Sequence, residues 1–104
     1  MSSQPGFACD MLALTAEQRQ QHQQVAQRLT DLRLAIHELK DGYAFEYAAE
    51  PETYVLLGEF MSLEHLCCPF FRLALEVEPE AKSVWLRVTG AEGVKAFVQA
   101  EFLS

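Results

Sequence analysis

Three cysteines are the residues of this sequence whose side chains are best suited to chemistry. Cys67 and Cys68 are adjacent within "SLEHLCCPFF", and Cys9 lies far away in "GFACDMLALT". Thiolate sulfur is the preferred ligand of soft cations, and imidazole also suits zinc and copper. The apolar residues around Cys9 are unusual for a free tail and suggest that the segment lies against the domain. Three sulfurs would then form a site for Zn(II), Cu(I) or Hg(II).

The helix predicted before Pro69 gives the two neighbouring cysteines different surroundings. Successive helical positions are about 100° apart, so Cys67 continues an apolar stripe, whereas Cys68 lies one turn after Glu64. The residue before a proline avoids the helical region, so the helix should end here and allow both sulfurs to converge. The predicted metal ligands are Cys9, Cys67 and Cys68, with Glu64 and His65 as additional or occasional ligands.

Other interpretations of these residues stay open. Buried free cysteine often acts as a small apolar packing residue, and Glu64 and His65 are more typical of solvated helix positions. A redox role is disfavoured, because a helix C-terminus and a nearby carboxylate raise thiol pKa values. A phosphate-binding glycine loop, a nucleophile elbow and a zinc-protease motif are all absent from the sequence. The pattern therefore favours a binding protein over an enzyme.

The first helix should begin at about Ala16, because Thr15 and Gln18 have the spacing of a capping box. Behind it an apolar seam recurs at steps of four and three residues, which predicts a helix that continues to the turn at Asp41-Gly42. The members of this seam are Val25, Leu29, Leu32, Ile36 and Leu39.

The rest of the chain predicts short strands and two further helices. "YAFEYA" alternates as a strand, and a second helix should run from Pro51 to about Cys67. Two alternating segments around "PEAK" predict an antiparallel hairpin, and "GAEGVKAFVQAEFL" predicts a C-terminal helix. The predicted order is α-β-α-β-β-α, an α+β fold with a small antiparallel sheet packed against helices. Residues 1–14 are predicted as an N-terminal extended segment and residues 15–104 as a single domain.

Charge and composition limit the classes of partner. The formal net charge is -7, from 15 acidic and 8 basic residues, and the basic residues are scattered. This balance opposes binding to nucleic acid or to an anionic membrane surface and is compatible with a metal ion. The beginning of the sequence lacks the pattern of a signal peptide, so a cytoplasmic location is expected. In that compartment, with an odd number of cysteines, a disulfide framework is not expected.

Three segments of the sequence resemble a group of small, uncharacterised bacterial proteins. They are "FACDMLALT", "LEHLCCPFFRLALEVEP" and "VWLRVTGAEGVKAF", which together extend over nearly the whole chain. The resemblance implies that Cys9, Cys67 and Cys68 belong to a shared pattern, and such proteins can accompany heavy-metal-responsive regulators. It implies no activity. His65 stands where the group has a more basic residue, which argues against a ligand role for it.

The sequence therefore predicts a small cytoplasmic protein that binds a soft metal ion through its three thiols, as a sensor, a buffer or a metal-resistance accessory. The alternative is a non-catalytic interaction or structural domain with packed cysteines, in which the seam of the first helix forms a homodimer. A thiol-dependent redox protein is the third possibility.

Overall fold

The computed structural model describes residues 8–80 and 82–103. A 3-10 turn at Met11–Ala13 precedes the main elements, which are α1 (Ala16–Leu32), β1 (Ala35–Leu39), β2 (Gly42–Ala48), α2 (Pro51–Cys67), β3 (Arg72–Val77), β4 (Ser83–Thr89) and α3 (Val94–Phe102). The predicted α+β fold is confirmed, with one strand more than expected. Half of the predicted extended segment, residues 1–7, lies outside the described residues. In the described part of the chain, no helix has both the length and the apolar character needed to cross a membrane.

The strands form one antiparallel sheet in the order β1-β2-β4-β3. In its two central strands, alternate residues point to one face, and Phe45 lies opposite Leu86 in the register. Both side chains are buried in a core shared with Leu29 of α1 and Phe60 of α2. The predicted hairpin between β3 and β4 is present. The sheet therefore supplies an apolar floor on which the helices lie.

The first helix is shorter than its apolar seam predicts. It begins with the predicted capping box but ends at Leu32, and the residues expected to be its last two turns form β1 instead. Arg33 has an extended backbone, with ψ at 129°, and Leu34 N–H donates to the carbonyl of Glu46 at 2.8 Å. The spacing of the seam fits a helix, but pairing with β2 outweighs this local preference, because tertiary context overrides modest propensity differences.

We expect opposite effects on stability from replacing two glycines by alanine. At Gly42 an added Cβ would collide with the carbonyl oxygen of Val88, on the neighbouring strand, where only the backbone could move. Gly42→Ala should therefore lower the free energy of unfolding by about 2–3 kcal/mol. Gly58 of α2 has no heavy atom within 4 Å of such a Cβ, so Gly58→Ala should raise it by about 0.5–1 kcal/mol.

Urea unfolding of the two variants measures both effects. A free energy of unfolding for Gly42→Ala that is equal to or higher than that of the wild type would contradict the close approach of β2 and β4.

Candidate functional site

The N-terminal segment lies against the end of α2 and brings Cys9 to the adjacent cysteines. The backbone N–H of Asp10 donates to the carbonyl of Cys67 at 2.7 Å. Leu14 is buried in the core, and its carbonyl accepts a hydrogen bond from the Arg19 guanidinium at 2.8 Å. This apolar side chain and these hydrogen bonds help to hold the segment in place. The residue that is most distant in sequence becomes a neighbour of the pair in space.

Cys9 and Cys68 form a disulfide in this structure, across a sequence separation of 59 residues and with their Cα atoms 4.7 Å apart. The expectation that the cysteines form no structural disulfide is wrong. It depended on their odd number and on a reducing compartment, whereas the position of the N-terminal segment places one cysteine directly opposite another. Cys67 remains a buried free thiol.

The end of α2 sets the positions of the other two sulfurs. Cys68 is the first residue beyond the helix, with φ at -129° and ψ at 67°, and its N–H donates to the carbonyl of Glu64 at 2.7 Å. The Sγ atom of Cys67 lies 3.8 Å from that of Cys68. The two sulfurs therefore converge at the point where the helix ends before Pro69.

Glu64 is buried, with 1% of its surface exposed, although its type and position are typical of a solvated helix residue. Its Oε1 atom lies 2.6 Å from Nε2 of His22, on α1. The His22 ring also stacks on Phe60, with 5.7 Å between the ring centroids. The carboxylate oxygen accepts a hydrogen bond when the imidazole carries its proton on Nε2, and this contact compensates for the loss of water. The packing of α1 on α2 thus replaces solvent around Glu64.

His22 belongs to this site, although its sequence position gives little indication of it. It lies in the glutamine-rich first half of α1, which reads as polar on every side. A usable signal is its spacing, since His22 is three residues before Val25 and seven before Leu29, and both of those are buried. His65, the predicted histidine, is exposed and belongs to neither group of potential metal ligands found among the described residues.

The potential ligand atoms form two overlapping groups. One contains Cys9, Glu64 and Cys68, the other contains His22, Glu64 and Cys67, and within each group all ligand atoms lie within 4.8 Å of one another. The Glu64 carboxylate is common to both. Three sulfurs and one imidazole therefore surround a single buried carboxylate. In the disulfide form, Cys67 is the sulfur of this set that remains a thiol.

The surroundings of Cys67 favour the protonated thiol. Burial, followed by the nearby carboxylates of Glu64 and Asp10, raises the pKa of Cys67 to about 11, although a backbone hydrogen bond acts in the opposite direction. Such a thiol is a poor nucleophile at neutral pH, because the thiolate is the reactive species. A metal cation would reverse this preference, since its charge compensates for both the thiolate and the carboxylates.

We expect His22→Leu to lower the free energy of unfolding by about 2 kcal/mol, because it leaves a buried carboxylate without its hydrogen-bond donor. The double variant His22→Leu/Glu64→Leu should lose less free energy of unfolding than His22→Leu, because it removes both polar groups. Urea unfolding of His22→Leu, Glu64→Leu and the double variant, compared with the wild type, forms a double-mutant cycle. Losses that simply add would show that the two side chains do not interact.

The pKa of Cys67 also predicts a pH dependence of stability. The pKa of the Cys67 thiol is 9.0 in the unfolded chain and about 11 in the folded protein, so the folded state keeps the thiol proton to a higher pH. The contribution of this thiol to the free energy of unfolding is therefore complete below about pH 9 and is lost as the pH rises towards 11. Urea unfolding over this range should show a falling free energy of unfolding, with a shallower fall in Cys67→Ser. Equal slopes would contradict the raised pKa.

The described residues thus bring together four of the five predicted ligands and place the fifth, His65, at an exposed position. The assembled side chains are Cys9, Glu64, Cys67 and Cys68, with His22 in addition. Sulfur, carboxylate and imidazole together suit a soft or borderline metal ion, and the sulfurs alone suit thiol-disulfide chemistry. We find no match to this chain among protein-family models, curated proteins or solved structures.

Proposed function

We propose that the reduced protein binds a soft or borderline metal ion at the cluster around Glu64. The observation that best supports this is the buried carboxylate that two groups of potential ligands share. A carboxylate beside three sulfurs opposes ionisation of the thiols, so the cluster is electrostatically unfavourable for thiolates alone. A cation removes this conflict, because each thiolate and the carboxylate then become ligands.

The ligand types favour Zn(II), Cu(I) or Hg(II) over Mg(II) or Ca(II). Thiolate selects soft and borderline ions, imidazole suits zinc and copper, and hard ions require several oxygen ligands. In this proposal Cys9, Cys67 and Cys68 supply sulfur, while Glu64 and His22 complete the coordination. A structural zinc site has four ligands, and the two groups that share Glu64 contain five potential donors in total.

The disulfide and the metal ion are alternative links between the N-terminal segment and α2. Loading requires reduction of the Cys9–Cys68 disulfide by an external dithiol, which donates two electrons and two protons and becomes a disulfide itself. The metal then displaces the thiol protons and joins the same two segments. A protein with this chemistry would suit the role of a sensor, a buffer or a metal-resistance accessory.

Native mass spectrometry tests the proposal directly. Reduced protein is incubated anaerobically with Zn(II), Cu(I) or Hg(II) and compared with the oxidised protein and with the triple variant Cys9→Ser/Cys67→Ser/Cys68→Ser. We expect one bound ion on the reduced protein, accompanied by proton loss, and none on the triple variant. His65→Ala is the matched control and should bind as the wild type does. Equal metal uptake by the reduced protein and the triple variant would refute the site.

A second candidate function, thiol-disulfide exchange, is favoured by the disulfide itself and by the third thiol beside it. The Sγ atom of Cys67 lies 3.8 Å from the disulfide sulfur of Cys68. The raised pKa of Cys67 opposes this chemistry, because attack requires a thiolate. Kinetics of reduction by a small dithiol separate the two functions. Reduction much faster than that of an ordinary protein disulfide, and slowed by Cys67→Ser, would favour exchange.

The homodimeric interaction domain stays a prediction.

A further inference from the structure

We propose that the cleft between α1 and α3 binds an organic anion with an apolar body, of which a medium-chain carboxylate is the simplest example. The cleft has a volume of about 770 Å³, within the range of roughly 300–1,000 Å³ that is typical of small-molecule sites. One wall is α1, the opposite wall is the last turn of α3, and the floor is formed by β2 and β4. This inference goes beyond the metal site and does not depend on it.

The floor of the cleft is apolar and belongs to the core. Phe45 and Tyr47 of β2 and Leu86 and Val88 of β4 form it, and Phe60 of α2 closes one side. Each of these five side chains is at most 8% exposed, so a ligand would contact only the small part of each that faces the cleft. Burial of an apolar body against them contributes roughly 25 cal/mol per Å² removed from water.

Arg33 supplies the positive charge. Its guanidinium lies over the Phe45 ring, 5.7 Å from the centroid, and lines the cleft. Within residues 8–80 and 82–103, no carboxylate forms an ion pair with it. Arg28, five residues earlier on α1, is paired with Glu52 at 3.3 Å and is not among the cleft residues. Arg33 is therefore the cation available to an anionic group in the cleft.

The second arginine of the cleft is already engaged. The Arg19 guanidinium donates to the carbonyls of Leu14 and Met11, at 2.8 and 3.3 Å, and thereby holds the N-terminal segment. The helix rises about 1.5 Å per residue, so Leu32, the last residue of α1, lies roughly 15 Å along the helix from His22, and Arg33 follows directly beyond it. These positions orient the ligand, with its anionic group at Arg33 and its apolar body extending over the floor towards Phe60.

The opposite wall makes the site selective for a single anionic group. Glu101 of α3 lines the cleft and has no ion-pair partner within the described part of the chain. Among the polar side chains of α1 that line the cleft, Gln23 can donate hydrogen bonds to a ligand, whereas the Thr30 hydroxyl already donates to the carbonyl of Ala26 at 3.0 Å. A monoanion with one polar end matches this distribution better than a dianion.

Fluorescence titration of the oxidised protein with anilinonaphthalene sulfonate, an apolar organic anion, tests the proposal. Decanoate should displace this probe, whereas decanol and decyltrimethylammonium should compete at least about tenfold more weakly, since a charge-assisted hydrogen bond to Arg33 is absent. Equal competition by decanol and decanoate would show that the cleft recognises apolar surface alone and would overturn the assignment.

Two variants locate the bound anion. Arg33→Gln should weaken the affinity for decanoate about tenfold or more. The matched control Arg28→Gln should change this affinity less than about twofold. Ala26→Phe, which fills the cleft from α1, should abolish displacement in a protein whose circular dichroism is unchanged. If Ala26→Phe does not fold, the two arginine variants and the competition by decanoate, decanol and decyltrimethylammonium still test whether the anion binds at Arg33. Equal affinities of Arg33→Gln and Arg28→Gln would refute the role of Arg33.

The cleft and the metal site can be tested separately. Cys67→Ser retains the Cys9–Cys68 disulfide and should bind decanoate as the wild type does, whereas it removes one of the proposed metal ligands. Loss of decanoate binding in Cys67→Ser would show that the thiol cluster, rather than the cleft, binds the anion and would overturn the proposal.

Discussion

Reduction of the Cys9–Cys68 disulfide should lower the free energy of unfolding by about 4 kcal/mol. The bond links residues separated by 59 positions, and a cross-link of this span removes a large part of the entropy of the unfolded chain. Domains of this size typically have about 5–15 kcal/mol of stability, so the reduced protein would retain only a fraction of it. Urea unfolding with and without reductant measures the difference.

Cys9→Ser should reproduce the effect of reduction, because it removes the same bond. Cys67→Ser is the matched control, since it leaves the bond intact. A reductant effect that persists in Cys9→Ser would show that the loss of stability comes from elsewhere. If the reduced cluster binds metal, an ion at a hundred times its dissociation constant should restore about 2.7 kcal/mol, because it binds the folded state alone.

Replacement of any one sulfur ligand should weaken metal binding by the reduced protein roughly 100-fold. Structural zinc sites contribute about 10–16 kcal/mol, which over four ligands is about 3 kcal/mol each, and a factor of 100 corresponds to about 2.8 kcal/mol. Cys67→Ser and Cys68→Ser should both show this effect. Competition of the protein with a chromophoric chelator under anaerobic conditions measures the affinities.

The carboxylate and the imidazole should contribute less than the sulfurs. We expect Glu64→Gln and His22→Gln to weaken binding about 10- to 100-fold, and His65→Ala, at an exposed position, to leave it unchanged. Affinity should fall as the pH falls, because each bound thiol must lose its proton. An unchanged affinity in Cys67→Ser, together with a normal affinity in Glu64→Gln, would exclude the cluster as the metal site.

Local sequence signals were enough to predict most of the elements. The capping box of Thr15 and Gln18 is present, α2 runs from Pro51 to Cys67, and β3 and β4 form the predicted hairpin. Each of these depends on residues close together in sequence, such as a cap, a proline or an alternating pattern. The exception is β1. Its apolar residues have the spacing of a helix, and only its pairing with β2 shows that they belong to a strand.

The site was less predictable than the fold, because its residues come from three separate segments. The stripe positions on α2 identified Glu64 as a neighbour of the cysteines, but burial of its carboxylate requires α1 to pack against it. His22 became relevant for the same reason. Its type and its polar neighbours in sequence indicate a solvated residue, and only the core-facing spacing with Val25 indicates otherwise.

The sequence by itself determined the α+β fold, the end of α2 at the cysteine pair and the chemistry of sulfur, carboxylate and imidazole side chains. The tertiary structure alone decided that Cys9 meets Cys68, that Glu64 is buried and that His22, rather than His65, lies beside it. The physical reason is the range of the interactions. Caps, turns and periodicity act within a few residues, whereas contacts across 42 or 59 positions depend on how the packed helices and the N-terminal segment exclude water from one another.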